Sequence, residues 1–486
     1  MGLEGRQATV AVLLLLFALL AGYALAVHAP CDDAYIFATY ARNLLDGNGL
    51  TFNGERVEGF TSTLWVVLAI VPGWLGVSLP LALDVASLLS AGAVLFATYS
   101  LGRAVGLSPP RALLAPCLVT ATGDLAFYAS NGMENVLFAA LTAWTLAVCA
   151  GREPRGLLVS GRLPLLLAVL TITRPEGALV VVVVVGWLGS RARSALLSLR
   201  CAAIVASMLF PIVLIKKMYY GYWLPNTYYV KATAGLANLD HGLDYLLQAA
   251  GRYAPVVAFL AIFLALRVSR RRTSGLVEIV PAAIVFVLWL LYVLVQGGDG
   301  LIGARMLLPA IPLLYVMTVK LAEEVPIPAA TAATVVLCLG LVWSYLGDDL
   351  IRTQTRRWRQ QARLRERIGL HLRDNFPAGT LVAVNAAGII PYFSKQPTID
   401  MLGLNDEQIA HHGKRDRSLR LGHQAGDGAY VLSRSPGVIL FGRGGTREAS
   451  QFVSDREIWQ SPEFVENYRV MSIEGRAWAW VRVEAP

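Results

Sequence analysis

Two adjacent carboxylates stand just beyond the first apolar stretch of the chain, at Asp32 and Asp33. Paired carboxylates suit general-base chemistry, because one can take up a proton while its neighbour stays charged. Asp also caps helix N-termini by accepting backbone N–H bonds. The pair is therefore a candidate base, a candidate helix cap, or one of each. The following residues predict a short amphipathic helix that ends at the Asp-Gly-Asn-Gly motif beginning at Asp46.

Two further segments carry charge next to apolar runs. Glu134 precedes one such run, where a carboxylate interacts favourably with the helix dipole or takes part in chemistry. Arg174 and Glu176 interrupt apolar runs of 11 and 14 residues, 163–173 and 177–190. They can pair with one another, or Arg174 can bind an anion such as a phosphate through its planar set of donors.

An aromatic segment and a glycine-rich segment supply the remaining candidates. The first contains Tyr220, Asn226 and Lys231, and aromatic anchoring at a membrane surface explains its tyrosines but not its polar residues. The second contains Asp299 and Arg305. Its glycines predict either a tight turn or a close approach of the backbone to a ligand.

The composition decides the class of protein that holds these residues. The chain has 486 residues, of which 56% are hydrophobic and 15% charged, whereas soluble domains carry roughly 25% charged residues. This excludes an ordinary soluble enzyme and a disordered regulator. The net charge of +9 comes from short basic clusters between apolar blocks, so nucleic-acid binding is not expected. The five cysteines form no CxxC motif and imply no disulfide framework.

Twelve apolar blocks, several near the length of about 20 residues that spans a bilayer, predict a polytopic membrane protein. Basic loops, such as those at Arg103, Arg152, Arg191 and Arg267 to Arg272, indicate the cytoplasmic side. A consistent path requires that block 60–78 does not cross, which leaves eleven spans with the N-terminus inside and the C-terminus outside. The blocks are 8–27, 60–78, 81–102, 111–122, 133–151, 163–173, 177–190, 201–217, 251–267, 276–296, 305–321 and 327–346.

This topology predicts that the candidate residues emerge together on the outer face, in segments 28–60, 122–133, 173–177, 217–250 and 296–305. Carboxylates and cations would then line one outward-facing polar cavity. Such a cavity suits a substrate with an anionic group at membrane depth and a hydroxyl that must lose its proton. A polyprenyl-phosphate sugar donor and a carbohydrate acceptor meet both conditions. The carboxylates are Asp32, Asp33 and Glu134, and the cations are Arg174, Lys231 and Arg305.

The polar C-terminal region predicts a small α/β domain. The basic stretch 352–373 predicts a surface helix, near acidic lipid or polymer or simply solvated. Segments 380–385, 436–441 and 477–483 have the pattern of buried strands. His411, His412 and His423 lack a metal-ligand pattern and are expected to be surface histidines.

An ordered series of motifs resembles the GT-C glycosyltransferases of the mycobacterial terminal arabinofuranosyltransferase family. A further motif, around Ile399, resembles the C-terminal part of bacterial relatives, so the resemblance covers about 30–435. The motifs are Asp32-Asp-Ala-Tyr-Ile, Ala41-Arg-Asn-Leu, Glu58-Gly-Phe-Thr-Ser-Thr-Leu-Trp, Gly132-Met-Glu-Asn, Thr173-Arg-Pro-Glu-Gly, Leu224-Pro-Asn-Thr-Tyr and Gly297-Gly-Asp, followed by Arg305-Met-Leu-Leu-Pro.

The resemblance implies an all-α polytopic catalytic domain over residues 1–346, with its first external loop at 28–60, and an extracytoplasmic α/β domain over 347–486. The activity it implies is inverting transfer of a sugar, arabinofuranose in this family, from a polyprenyl-phosphate donor to a cell-envelope glycan such as arabinogalactan. Asp32 is then the base and Asp33 its partner.

The remaining roles follow from the same resemblance and charges. Arg174, Arg305 and Lys231 are expected to bind the donor phosphate. No cofactor is required, although the carboxylates leave room for a divalent cation. We expect a monomer in the bacterial inner membrane, in contact with lipid-linked donor, glycan acceptor and bilayer but not nucleic acid. A transporter or flippase of lipid-linked glycans is the alternative. Residues expected to contact substrate are Arg42, Glu58, Glu134, Glu176, Tyr220, Asn226 and Asp299.

The non-spanning block can be tested by cysteine labelling. Ile70→Cys, in a background without the five native cysteines, should react with an impermeant maleimide added from outside, because this block remains at the outer surface. Labelling of Ser78→Cys from the cytoplasmic side would contradict the eleven-span path.

Overall fold

The computed structural model describes residues 3–231, 238–270, 276–419, 422–442, 450–473, 475 and 477–483. They form two compact units. The first comprises Met1–Ala29, Asp84–Ile212 and Gly235–Thr355, and the second comprises Pro30–Leu83, Val213–Ala234 and Arg356–Pro486. The basic residues Arg271 and Arg272, and residues 232–237 of the predicted outer segment 217–250, lie outside the described residues.

Helices make up most of the chain up to residue 375. In chain order they are α1 Leu3–Val27, α2 Asp32–Leu45, α3 Thr63–Trp74, α4 Leu79–Ala104, α5 Pro109–Ala112, α6 Leu114–Thr120, α7 Gly123–Tyr128, α8 Asn135–Cys149, α9 Pro154–Val159, α10 Arg162–Thr173, α11 Gly177–Ala192, α12 Ala195–Tyr220, α13 Asn226–Lys231, α14 Leu239–Ser269, α15 Val280–Gln296, α16 Ile311–Leu321, α17 Ile327–Leu346 and α18 Asp349–Asn375.

Six of the described helices are long and apolar enough to cross a membrane, which confirms a polytopic membrane protein. They are α1, α4, α12, α14, α15 with the 3₁₀ turn before it, and α17, and their mean hydropathy lies between 1.8 and 2.7. Five shorter apolar helices, α3, α8, α10, α11 and α16, have 10–17 residues. The count of eleven spans therefore stays a prediction.

The block 111–122, expected as one span, is broken in the structure between α5 and α6. Pro116 lies one turn after Ala112 and has no N–H to donate to the Ala112 carbonyl. The helix is therefore interrupted at Leu113.

Two short helices follow α1 in the second unit. The predicted short helix after Asp32 is confirmed as α2, which ends where Gly47 adopts a positive φ of 81°. Helix α3 has 12 residues, so it is about 18 Å long, well below the thickness of about 30 Å that a spanning helix must cross.

A break between α10 and α11 positions Arg174 and Glu176. Arg174 is extended, with φ −152° and ψ 134°, as expected for a residue that precedes proline. Gly177 then begins α11 so close to the preceding turn that a Cβ there would lie 2.9 Å from the Leu170 carbonyl oxygen. The Arg-Pro-Glu-Gly sequence thus sets this corner.

A mixed sheet with short helices forms the C-terminal part of the second unit. All three segments predicted as strands are strands, namely β1, β5 and β7. The elements are β1 Val382–Val384, α19 Ile389–Ser394, β2 Thr398–Asp400, α20 Glu407–His412, β3 Lys414–Arg415, β4 Ala425–Gly426, α21 Gly428–Ser433, β5 Val438–Leu440, α22 Val453–Gln460, α23 Pro462–Asn467, β6 Tyr468–Ile473 and β7 Ala477–Arg482.

The five-stranded sheet has the order β2-β1-β5-β7-β6. Strand β1 is parallel to β2 and β5, whereas β7 is antiparallel to β5 and β6. Ala383, Ile399 and Ile439 form the core of the sheet with Phe464, and Val230 of α13 is buried in the same core. The segment that carries Asn226 is therefore anchored by the C-terminal fold.

Asp406 caps α20 in this region, and it gives the fold a pH dependence. Its Oδ1 accepts a hydrogen bond from the Ile409 N–H at 3.0 Å, and its Oδ2 accepts one from the Tyr430 hydroxyl at 3.2 Å. Burial raises the pKa of the Asp406 carboxyl from 3.8 to about 6. The folded chain holds this proton more tightly than the unfolded chain, so Asp406 destabilises the fold progressively as pH rises through this range.

Asp406→Asn is a neutral replacement that keeps the cap. Relative to this variant, the wild-type protein should lose about 2 °C of melting temperature between pH 4 and pH 7, measured by differential scanning fluorimetry in detergent. Asp349→Asn, at a side chain that is 91% exposed, is the control and should show no such trend. A difference that is constant with pH would contradict the prediction.

Candidate active site

Asp32 is the first residue of α2. Its Oδ2 accepts a hydrogen bond from the Gly388 N–H at 3.0 Å and its Oδ1 one from the Ile389 N–H at 3.1 Å. The guanidinium of Arg365 lies 3.2 Å from the same Oδ1. Cys31 is the N-cap residue of α2, and its side chain makes no capping hydrogen bond. Asp32 therefore does not cap its own helix; three donors from the C-terminal region fix its carboxylate.

Gly388 is required at this contact. A Cβ on Gly388 would lie 1.8 Å from the backbone oxygen of Asp32. Only glycine therefore lets the start of α19 come close enough to donate to the Asp32 carboxylate.

Asp33 follows on the same turn and is half-buried. Within the part of the chain that the structure describes, its carboxylate makes no hydrogen bond or ion pair. The pair thus combines one carboxylate in a fixed orientation with one whose lone pairs are open.

Arg42 and Glu58 have structural partners in the same unit. The Arg42 guanidinium donates to the Tyr392 carbonyl at 2.5 Å and lies 5.2 Å from the centre of the Tyr392 ring. Glu58 is 4% exposed and forms an ion pair with Lys216. Burial raises the pKa of the Glu58 carboxyl, and the Lys216 ammonium opposes that rise. These contacts account for both residues without a ligand.

Asn226 ties its segment to the loop after β2. Its amide Nδ2 donates to the carbonyls of Gly403 at 2.8 Å, Asp406 at 3.1 Å and Leu404 at 3.2 Å. Its own backbone N–H donates to the Glu58 carbonyl at 2.9 Å. Asn226 is therefore a junction between three segments of the second unit.

Tyr220 is the last residue of α12, and Lys231 is the last residue of α13, the helix that Asn226 begins. The Tyr220 hydroxyl donates to the Leu50 carbonyl at 3.2 Å, so it holds the first loop. Lys231 is exposed at the end of α13, and a Cβ on Gly422 would lie 3.4 Å from its Cε atom. Of these residues, Lys231 is the one placed at an accessible surface.

In the first unit, Arg174 lies between two carboxylates. Its Nη1 is 2.5 Å from Glu134 Oε1, its Nη2 is 3.0 Å from Glu176 Oε1, and its Nε is 3.3 Å from Glu176 Oε2. Glu176 also accepts a bond from the Tyr292 hydroxyl at 3.0 Å. Arg174 and Glu176 do pair, as one interpretation of the sequence expected, and Glu134 joins them from 40 residues away.

The glycine-rich segment forms a second ion pair in this unit. Arg305 Nε lies 2.7 Å from Asp299 Oδ2, and Asp299 Oδ1 accepts the Leu301 N–H at 3.2 Å. Gly297 and Gly298 have positive φ values of 83° and 70°. The glycines therefore make a tight turn that ends α15 and bring Asp299 back to Arg305.

The sequence analysis missed a third buried charge cluster in the first unit. Asp124 is 2% exposed, accepts a bond from the Tyr253 hydroxyl at 2.8 Å and lies 3.4 Å from Arg252 Nε. Arg252 is also 3.9 Å from Asp348. The available signals were a single Asp in the segment 122–133 and an Arg near the start of the apolar block 251–267, because buried charges in such helices need partners.

The candidate residues thus belong to two units. Asp32, Asp33 and Lys231 are in the second unit, and Glu134, Arg174 and Arg305 are in the first; the convergence of all six on one cavity stays a prediction. No cluster of three or more potential metal ligands occurs among the described residues.

Of the histidines, His411 is stacked on Tyr222 with ring centroids at 4.3 Å, and it also contacts the Tyr229 ring at 4.2 Å. Its ring is therefore part of an aromatic stack rather than a free surface group. His423 is stacked on Phe452 at 5.6 Å.

The structural role of Asn226 can be separated from a role in binding substrate. Asn226→Ala removes three hydrogen bonds and should lower the free energy of unfolding by about 1–3 kcal/mol. Asn226→Asp should lower it further, because it points a negative charge at three carbonyl oxygens. Thermal unfolding should rank wild type above Ala and Ala above Asp. An Asp variant as stable as the wild type would show that this junction is not needed.

The chain is similar in sequence and in fold to known proteins. Residues 352–483 match a domain of unknown function, DUF8728. Over 322 residues the chain is 31% identical to the terminal beta-(1->2)-arabinofuranosyltransferase of Mycobacterium tuberculosis, which covers 58% of this chain. The chain spans about half, 51%, of that relative's length.

Solved structures give the fold. ArnT from Cupriavidus metallidurans, bound to undecaprenyl phosphate, matches with a TM-score of 0.58 and 11% identity over 82% of this chain and 86% of ArnT. The arabinofuranosyltransferase AftD from Mycobacteria matches with a TM-score of 0.47 and 13% identity over 96% of this chain and 37% of AftD. The chain therefore resembles the mycobacterial terminal arabinofuranosyltransferase, as its motifs predicted, and has the fold of ArnT.

Proposed function

We propose that this chain transfers a sugar, arabinofuranose on the evidence of its curated relative, from a polyprenyl-phosphate donor to an extracytoplasmic cell-envelope glycan. The observation that carries the proposal is the Asp32 carboxylate, which two backbone N–H groups and Arg365 hold at the start of α2 beside the unpaired Asp33. The relative's arabinofuranosyltransferase activity and the lipid bound to ArnT support the donor class.

Asp32 is the general base in this mechanism. An ionised carboxylate offers about four lone-pair sites, and its three donors leave one site open in a fixed direction. Asp32 takes the proton of the acceptor hydroxyl, and the hydroxyl oxygen forms a bond to the anomeric carbon. The bond between that carbon and the phosphate oxygen breaks, the polyprenyl phosphate leaves with the electron pair, and the anomeric configuration inverts.

Arg174 is proposed to stabilise the departing phosphate. A guanidinium has five N–H donors, and Glu134 and Glu176 accept three of them. The two that remain are held in a fixed direction by those carboxylates, which is the preorganisation that stabilises developing charge. Arg305 and Lys231 assist. No cofactor is required in this mechanism. The transfer assay, run with and without a divalent cation, tests whether the carboxylates use one.

The proposal includes the surroundings of the enzyme. The chain acts as a monomer in the bacterial inner membrane, with eleven spans, a cytoplasmic N-terminus and the C-terminal α/β domain outside. That domain contributes the three donors on Asp32, which supports placing it on the same side as the first loop.

Transfer from radiolabelled decaprenyl-phosphate arabinofuranose to an arabinan acceptor, by purified protein in nanodiscs, tests the base. Asp32→Asn should lower kcat by about 10²–10⁴-fold with little change in KM, because it loses the proton acceptor. Asp33→Asn is the matched control and should retain activity within about tenfold, and Arg365→Gln should have an intermediate effect, because it frees the carboxylate without neutralising it.

Retention of activity by Asp32→Asn together with its loss in Asp33→Asn would reverse the two roles, and retention in both would end the base assignment. The same nanodisc protein, reconstituted into vesicles, separates the transporter alternative. Translocation of the lipid-linked sugar without transfer to the acceptor would favour a flippase.

A further inference from the structure

The turn between α7 and α8 leaves buried polar side chains without partners. Asn131 is 1% exposed, and neither its Nδ2 nor its Oδ1 has a hydrogen-bond partner. Glu134 is 1% exposed, and its Oε2 is also without one. Asn135, 5% exposed, has an unpartnered Oδ1. Buried polar atoms that are not satisfied are unfavourable, and so many in one turn require an explanation.

The backbone of this turn is fixed by three separate contacts. The Ser130 hydroxyl donates to the Ala24 carbonyl at 3.0 Å, and the Ser130 carbonyl lies 2.5 Å from Nδ1 of His28. The Ser87 hydroxyl donates to the Met133 carbonyl at 2.9 Å. Since the backbone is so well satisfied, the unpartnered side chains are not the result of a loosely held loop.

Arg174 orients the carboxylate at this turn. It binds Glu134 through Oε1, which leaves Oε2 as the open oxygen. Three unpartnered oxygens, on Asn131, Glu134 and Asn135, therefore need hydrogen-bond donors, and one amide NH₂ on Asn131 needs an acceptor. A phosphate offers acceptors only, so it does not match this set. A hydroxyl group donates and accepts at once, so neighbouring hydroxyls on a sugar ring do match it.

We infer that Asn131, with Glu134 and Asn135, forms a subsite that recognises hydroxyl groups of the transferred sugar, while Arg174 faces the phosphate. The inference rests on the proposed function and assigns the sugar-recognition step to Asn131. Asn131 is a specificity-determining residue here, because its amide distinguishes a ring carbon that carries a hydroxyl from one that does not. A polar site built in this way rejects the analogue that leaves its groups unpaired.

The test compares single-deoxy analogues of the lipid-linked sugar with the parent donor in the nanodisc assay. Wild type should prefer the parent over one deoxy analogue by at least about tenfold in kcat/KM. Asn131→Leu, which has a similar shape but no polar atoms, should lose about 10–100-fold on the parent and little on that analogue, so the preference collapses. Equal losses on both donors, or no loss, would overturn the inference.

Two controls separate recognition from structure. Thr145→Val removes another unpartnered buried hydroxyl, ten residues along α8 from Asn135, and should leave the donor preference unchanged. Asn131→Leu should melt at or above the wild-type temperature, because it removes unsatisfied polar atoms. A large drop in its melting temperature would indicate a structural role filled by ordered water and would overturn the inference.

A separate binding measurement tests the subsite without requiring sugar transfer. Lipid-linked sugar should raise the melting temperature of the wild type more than bare polyprenyl phosphate does, and Asn131→Leu should abolish that difference. If wild type transfers no sugar yet shows the difference, the proposed function fails and the subsite stands. If wild type transfers sugar and Asn131→Leu keeps the full difference, the subsite fails alone.

Discussion

The cost of burying a charge among apolar helices is the constraint on which the rest of this structure depends. A charged side chain in such surroundings is expensive unless it is paired. The first unit meets this requirement at several sites, among them Arg174, Arg305 and Arg252, each beside one or two carboxylates. Removing one partner would leave the other charged and buried, which is more damaging than removing the pair. The ion pairs therefore fix where polar chemistry can occur in this unit.

The same constraint explains the local backbone. The Arg-Pro-Glu-Gly corner and the glycine turn at residues 297 and 298 end apolar helices at the points where Arg174 and Asp299 must reach their partners. A broken helix exposes polar groups of the backbone, and such breaks are tolerated at membrane depth where protein groups satisfy them. Helix termini and ion pairs thus occur together in this chain.

Sequence alone predicted part of this arrangement. Hydropathy gave a polytopic membrane protein, and local patterns gave α2, the α10–α11 break and three strands of the sheet, because these depend on nearby residues. Asp32, Arg42 and Asn226 were recognised as important, but their partners at 365–406 could not be, because those contacts link segments more than 150 residues apart. The interruption of block 111–122 at Leu113 was not predicted, because hydropathy does not show that Pro116 lacks an N–H donor. Asp124 was missed since a single Asp gives no periodic signal.

The contacts of Asp32 have a consequence for how such chains diversify. Gly388, Ile389 and Arg365 all lie within the matched segment 352–483, and Asp32 lies more than 300 residues earlier. The loop and the C-terminal region must therefore change in concert. A hybrid protein with the Asp32 loop from one homologue and the C-terminal region from another would disrupt this contact. Recombination between relatives should therefore keep both segments from the same parent.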